Sequence, residues 1–329
     1  MIKLGLKSAV SMLVLAMLFG GANRAMAQYQ EGDLNHDGII DVADLTQIID
    51  MMANGGGMIT PLPEQRREFR KFRPDSIEPV REIDLGLPSH RKWASKNIGA
   101  GRVYDFGVFF AWGEVEGRYG YLPERLNPSL LEKGTTPRKF DWPSYEFNWG
   151  NNSWETIEKY QYPDNHSEGT VWYDDFGLYN GDNRFHLEDA DDAAKYHWDT
   201  SWRMPNYVDI MELIDTTYTT QRWGKFQGTD VYGCIFKSKN PQYTDSLFLP
   251  AAGQADDKYV QYRSDMNGFG HCFYWTSDIY QHHTADAYVL DIDKYLPGMD
   301  MREGEDKIAI VSWYHRYLGC SIRPVKDDK

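Results

Sequence analysis

The stretch "GDLNHDGIIDVADL" (32–45) places oxygen-bearing side chains at alternating positions, as a hard cation requires. Asp33, Asn35 and Asp37 stand at loop positions 1, 3 and 5, and Gly38 occupies the sharp turn at position 6. The carbonyl of Ile39 serves position 7, and Asp41 and Asp44 supply carboxylates at positions 9 and 12. A flexible shell of this many oxygens suits Ca²⁺ better than Mg²⁺, which demands a tighter octahedron and keeps more of its water. Aspartate at position 12 reaches less far than the usual glutamate, so the loop is complete in ligand type and short in reach.

A second set of residues could bind a ligand without transforming it. Tyr280, His282, His283, Tyr314, His315 and Tyr317 crowd the C-terminal third, and Trp142, Trp149 and Trp172 stand in a long stretch from Arg118 to Asp182 that lacks helix or strand periodicity. Aromatic faces stack on sugar rings, while Asp, Asn and His side chains hydrogen-bond hydroxyls. Catalytic patterns are missing. Glycoside hydrolysis needs two carboxylates across a cleft, and nothing singles out a pair; Glu114 in "FAWGE" reads as a turn carboxylate or ion-pair partner. A zinc site is disfavoured because the adjacent His282 and His283 would face opposite sides of an extended strand. No serine or cysteine has the setting of a nucleophile.

The elements that must position these groups follow from the pattern of the chain. Lys3 and Lys7 precede an apolar run ending before "NRAMAQ", which predicts a signal peptide over 1–27 and an exported protein at the cell surface, in the periplasm or outside the cell. No cysteine follows the run to carry a lipid anchor, and no stretch reaches the roughly 20 apolar residues of a transmembrane segment. Removing the leader takes away three basic and no acidic residues, moving the net charge from −14 to −17. Nucleic acid is an unfavourable partner for such a chain. Three cysteines cannot form the main scaffold; Cys234, Cys272 and Cys320 allow one bridge with one free thiol, or three buried thiols.

After the loop, Val42, Leu45, Ile48, Ile49 and Met52 recur at helical spacing until "NGGG" stops them, giving a unit over 28–54. Residues 55–83, with glycine, prolines and "RREFRKFR", read as a linker. From 84 onward short apolar-aromatic runs predict strands: "VYDFGVFFAWGE", "VYGCIFKS", "SLFLPAAG", "HCFYWTSDIY", "DAYVLDI", "IAIVSWY" and "GCSIRPV". Helices are expected at "LEDADDAAKYHW" and "NYVDIMELID". In the second, Asn206 is the cap, Asp209 the third helical residue, and Tyr207, Ile210, Met211 and Ile214 the buried stripe. Trp202 and Trp275 read as core, and Arg203 and Arg323 as structural partners of carboxylates. Strands gathered after two helices predict an α+β domain.

Two resemblances add to this. The run "GDLNHDGIIDVADLTQIIDMM" resembles one type I dockerin repeat, an EF-hand-like module that docks to cohesin in polysaccharide-degrading assemblies. Dockerins normally carry two repeats and this chain has one, so a cohesin-like or surface partner is an expectation that rests on half of the usual module. The motifs "DLGLPSHRKWASKNIGA", "FFAWGE", "EDADDAAKYHWDTSWRMPNYVDIMELI", "LFLPAAG", "YWTSDIY" and "GCSIRPV" stand in the order found in the Fibrobacter succinogenes major paralogous domain, common in secreted proteins of Bacteroidetes. That resemblance covers 84–326 and implies a C-type-lectin-like fold similar to the formylglycine-generating enzymes: two helices, a twisted, mostly antiparallel sheet and long loops. The close cysteine pair of those oxidases is lacking, as are the calcium-dependent sugar motifs of C-type lectins. The expectation is an exported, non-catalytic recognition or adhesion protein for glycan or protein ligands. A polysaccharide-degrading enzyme and a structural subunit of a surface assembly are the alternatives.

Overall fold

A computed structural model describes residues 77–118, 139–148, 150–162, 172–173, 178–257, 259–264, 270–293 and 309–327. The leader, the calcium loop with Asp33, Asn35, Asp37, Ile39, Asp41 and Asp44, most of the linker and Trp149 lie outside the described residues. The chain divides into two units, Met1–Glu68 and Phe69–Lys329, and the following concerns the second.

Short strands and two short helices alternate irregularly along the described residues. In chain order they are β1 (Glu82–Asp84), β2 (Lys92–Ala94), α1 (Ala193–His197), β3 (Trp202–Arg203), α2 (Tyr207–Ile214), β4 (Thr219–Lys225), β5 (Tyr232–Ser238), β6 (Ser246–Pro250), β7 (Gln254–Asp256), β8 (Tyr259–Gln261), β9 (His271–Ile279), β10 (Asp286–Asp293), β11 (Ala309–His315) and β12 (Val325–Lys326). They form antiparallel sheets in the orders β1-β2-β12-β3, β11-β10-β9, β4-β5-β6 and β7-β8. The class is α+β, with few helices and antiparallel sheets.

The β11-β10-β9 sheet separates the two cores of this unit. Side chains alternate across a strand, so Phe273 and Trp275 of β9 with Ala287 and Val289 of β10 enter one core, and Cys272, Tyr274, Leu290 and Ile292 enter the other. The second core is closed by α2 through Ile210, Leu213 and Ile214. The helix begins with the expected reciprocal cap: Asn206 Oδ1 accepts from Asp209 N and Asp209 Oδ2 from Asn206 N, each at 2.8 Å. Its buried stripe differs from the one expected, because Tyr207 and Met211 stay at the surface and Leu213 goes inside. Asp209 is the reason. Its buried carboxylate pairs with Arg203 at 2.6 Å and Arg91 at 3.1 Å, which turns the helix face carrying positions 209 and 213 inward.

Three further expectations are corrected. The linker does not run to 83: the Glu78 amide donates to the Gly101 carbonyl, the buried Lys96 ammonium reaches both carbonyls, and β1 pairs with β2. The segment "VYDFGVFFAWGE" is buried but is not a strand, being bridged only at Phe109 to Arg118 and Phe110 to Cys320. It turns at Gly113, whose φ of +79° and closeness to the Phe147 ring leave no room for a Cβ. The stretch after Arg118 is not simply surface loop, since Phe140, Tyr145, Phe147, Ile157 and Tyr160 are buried in the first core.

Candidate functional site

The β9 and β10 strands are joined by 280–285, closed by bonds from Tyr280 N to Asp286 O and from Asp286 N to His283 O, both 3.0 Å. Register pairs Asp286 with His315 and Tyr288 with Trp313, so all four leave one face of the sheet. Trp313 is 51% exposed, and Tyr280 lies flat against it with ring centroids 4.6 Å apart and planes 3° from parallel. Tyr280 also meets His282 at 5.3 Å and the edge of Tyr288 at 5.3 Å, and Tyr288 meets Tyr207 of α2 at 4.7 Å. The result is a run of rings from the turn to the start of the helix.

Beside it, one carboxylate holds two imidazoles. Asp286 Oδ1 lies 2.6 Å from His315 Nδ1 and Oδ2 lies 3.0 Å from His283 Nδ1. Burial raises the Asp286 pKa, but hydrogen bonds and charge from His283 and His315 outweigh it and hold the carboxyl below its ordinary range. An ionised carboxylate only accepts, so both Nδ1 atoms are the protonated ones. Trp154 packs on His283 at 4.5 Å, and Trp142 on His315 at 5.8 Å and Tyr317 at 4.9 Å.

Arg316 ties this group to the rest of the domain. Its guanidinium is fully buried and donates to Tyr145 Oη, to the carbonyls of Lys159 and Tyr160, and to the carbonyl of Thr284 in the turn. The rings of Trp112 and Tyr145 cover it at 4.7 and 5.3 Å. One side chain thereby fixes the segment after Trp154 against the turn that carries His282 and His283.

Of the residues expected from sequence, Tyr280, His282, His283, His315, Tyr317 and Trp142 come together here. Trp172 does not serve as a platform, being 2% exposed in the first core. Tyr314 leaves the opposite face, donates to Asp291 Oδ2 at 3.2 Å and packs on Phe273. His282 and His283 lie in a turn, so the opposite-face argument does not apply; among the described residues no three His, Cys, Asp or Glu could hold a metal ion. Glu114 is a buried ion-pair partner of Arg118 and accepts from the Glu146 amide at 2.7 Å. Among the described residues no carboxylate pairs with Arg323: its buried guanidinium donates to Asn97 Oδ1 and the Ala94 carbonyl, and burial pulls its pKa down to about 10. The three cysteines are buried free thiols whose pKa values burial pushes up.

Asp286, Trp154, Tyr288 and Trp313 are not marked as site residues in the sequence, and Tyr207 is read there as part of the buried stripe of α2. Trp313 was within reach, since two residues before His315 in a strand means the same face. Comparison with protein-family models, curated proteins and solved structures gives no match to the chain. No helix among the described residues is long and apolar enough to cross a membrane.

Proposed function

We propose that the protein is an exported, non-catalytic recognition protein whose ligand is a glycan lying on the ring run that includes Trp313 and Tyr280. The observation that carries this reading is the half-exposed Trp313 braced flat by Tyr280. A braced indole offers a rigid apolar face to a sugar ring at small entropic cost, and the neighbouring imidazoles, oriented by the buried Asp286 carboxylate, offer partners to its hydroxyls. The short helices, antiparallel sheets and long loops are compatible with the finer C-type-lectin-like assignment and with the major paralogous domain resemblance, both of which remain part of the proposal. In the same reading the loop from Asp33 to Asp44 binds Ca²⁺, and its dockerin-like unit joins the domain to a cohesin-like or other surface partner.

The test is a glycan array probed with the calcium-loaded protein and with Trp313→Ala and Tyr280→Ala variants of unchanged circular dichroism. Binding to a defined glycan class that falls at least tenfold in both variants supports the reading. Binding that both variants retain, or an array without any ligand, overturns it.

A further inference from the structure

Trp313 and His315 leave the same face of β11 and differ in what they can do for a ligand. Two residues along a strand place their Cα atoms about 6.7 Å apart, and register sets them opposite Tyr288 and Asp286. Trp313 offers an apolar face. His315 offers a single polar atom, and its surroundings fix the character of that atom.

The His315 ring is half-exposed, and its Nδ1 lies 2.6 Å from the buried Asp286 carboxylate. An ionised carboxylate has no proton to give, so Nδ1 carries the hydrogen of that contact. In the neutral ring Nε2 is then a lone pair without a hydrogen, on the side of the ring away from Asp286. Among the described residues no group hydrogen-bonds to Nε2, and the ring's flanks are packed by Trp142 at 5.8 Å and Tyr317 at 5.7 Å.

Carboxylates act on the same place from other elements. Burial and the charges of Asp256, Asp141 and Asp286 push the pKa of the neighbouring Tyr317 hydroxyl up. The cations close by are engaged. Arg316, next in sequence, is fully buried and gives its donors to Tyr145 Oη and the carbonyls of Lys159, Tyr160 and Thr284, and Lys139 pairs with Asp257 at 2.8 Å.

We infer that His315 makes the site selective for uncharged glycans: Nε2 accepts from a hydroxyl next to the sugar ring stacked on Trp313, and a sulfate or carboxylate at that position is turned away. A sugar hydroxyl can donate to this atom, whereas an anionic group brings only acceptors to it and carries its charge toward Asp141, Asp256 and Asp286. Selection of this kind works through repulsion as well as attraction. It rests on the reading of Trp313 and Tyr280 as a glycan platform.

The test is an array of neutral, sulfated, uronate-bearing and sialylated glycans at pH 8.5, followed by titration of the tightest binder and of its own sulfated derivative. The tightest binders are expected to be neutral, with sulfation weakening binding at least tenfold. His315→Gln, which puts an amide donor beside the acceptor without changing charge, and Asp286→Asn, which releases the ring's tautomer, should each shrink that gap at least threefold. Trp313→Ala should weaken both forms alike. The inference is overturned if the tightest binders are anionic, if sulfation costs nothing, or if either variant leaves the gap unchanged. Anionic ligands that still require Trp313 would overturn the selectivity and leave the platform standing, whereas an array without any ligand overturns both.

Discussion

His315 Nδ1 lies 2.6 Å from Asp286 Oδ1, across the register of β10 and β11, while the same carboxylate holds His283 from its other oxygen. Asp286→Asn replaces an acceptor for two N–H groups by an amide that accepts with one atom only. At pH 8, nitrogen-detected NMR of the wild type should show both imidazoles protonated at Nδ1, and the variant should move at least one to Nε2. Retention of both tautomers in the variant would mean that the carboxylate does not orient the rings.

The same carboxylate gives a pH dependence with a definite sign. The folded-state pKa of Asp286 is depressed, so the native state binds fewer protons than the unfolded chain. Its contribution to stability is full above the ordinary carboxylate range and is lost as pH falls through the lowered folded value. Urea denaturation between pH 5 and pH 2 should show Asp286→Asn losing less stability on acidification than the wild type.

Burial of Asp291 works in the opposite direction. Desolvation raises its pKa from 3.8 to about 6, so between these values the folded protein binds more protons than the unfolded one. Stability attributable to this group is present at pH 4 and is lost as pH rises through about 6, a penalty on the order of 3 kcal/mol. Asp291→Asn should therefore stabilise the protein at pH 7.5 relative to wild type and show little difference at pH 4. Equal denaturation midpoints of variant and wild type at both pH values would contradict a carboxyl whose pKa is raised by burial.

Much of the fold was legible because periodicity reports burial. Strands β5, β6, β9, β10 and β11 fall where alternating apolar and β-branched runs stood, and the Asn206–Asp209 box announced α2. What escaped depends on contacts between distant residues. The rotation of α2 is set by Arg91 and Arg203 on Asp209, and "TTQRWGK" of β4, despite the strand-favouring Thr219, Thr220 and Trp223, lacks an apolar run and is fixed as a strand by its pairing with β5. At the site, the sequence marked the aromatic and histidine residues by type. It could not tell Tyr314 from His315, one residue apart on opposite faces, until register fixed which face carries Asp286.

Arg316 offers a test of how the site is held together. Arg316→Met keeps an unbranched stem against Trp112 but leaves the carbonyls of Lys159, Tyr160 and Thr284 without their buried donor. At about 1–3 kcal/mol for each buried group left unsatisfied, the variant should lose on the order of 3 kcal/mol or more in urea denaturation. Arg316→Lys should recover only part, since an ammonium cannot reproduce the planar fork. A loss below about 1 kcal/mol in Arg316→Met would show that water replaces the guanidinium.

The calcium loop invites a prediction in which affinity can move both ways. Asp33 and Asp37 supply two of the charged ligands in the proposed site, so Asp33→Asn with Asp37→Asn should abolish calorimetric Ca²⁺ binding at one ion per chain. Asp44 stands at the position where a longer carboxylate normally closes the shell with both oxygens. If the short reach of aspartate is what limits this loop, Asp44→Glu should tighten Ca²⁺ binding by about tenfold and leave Mg²⁺ binding weak, because Mg²⁺ does not reward an added bidentate ligand. An unchanged or weakened affinity in Asp44→Glu would mean that position 12 is not a ligand, and the alternating-oxygen reading of 33–44 would then fail at its last member.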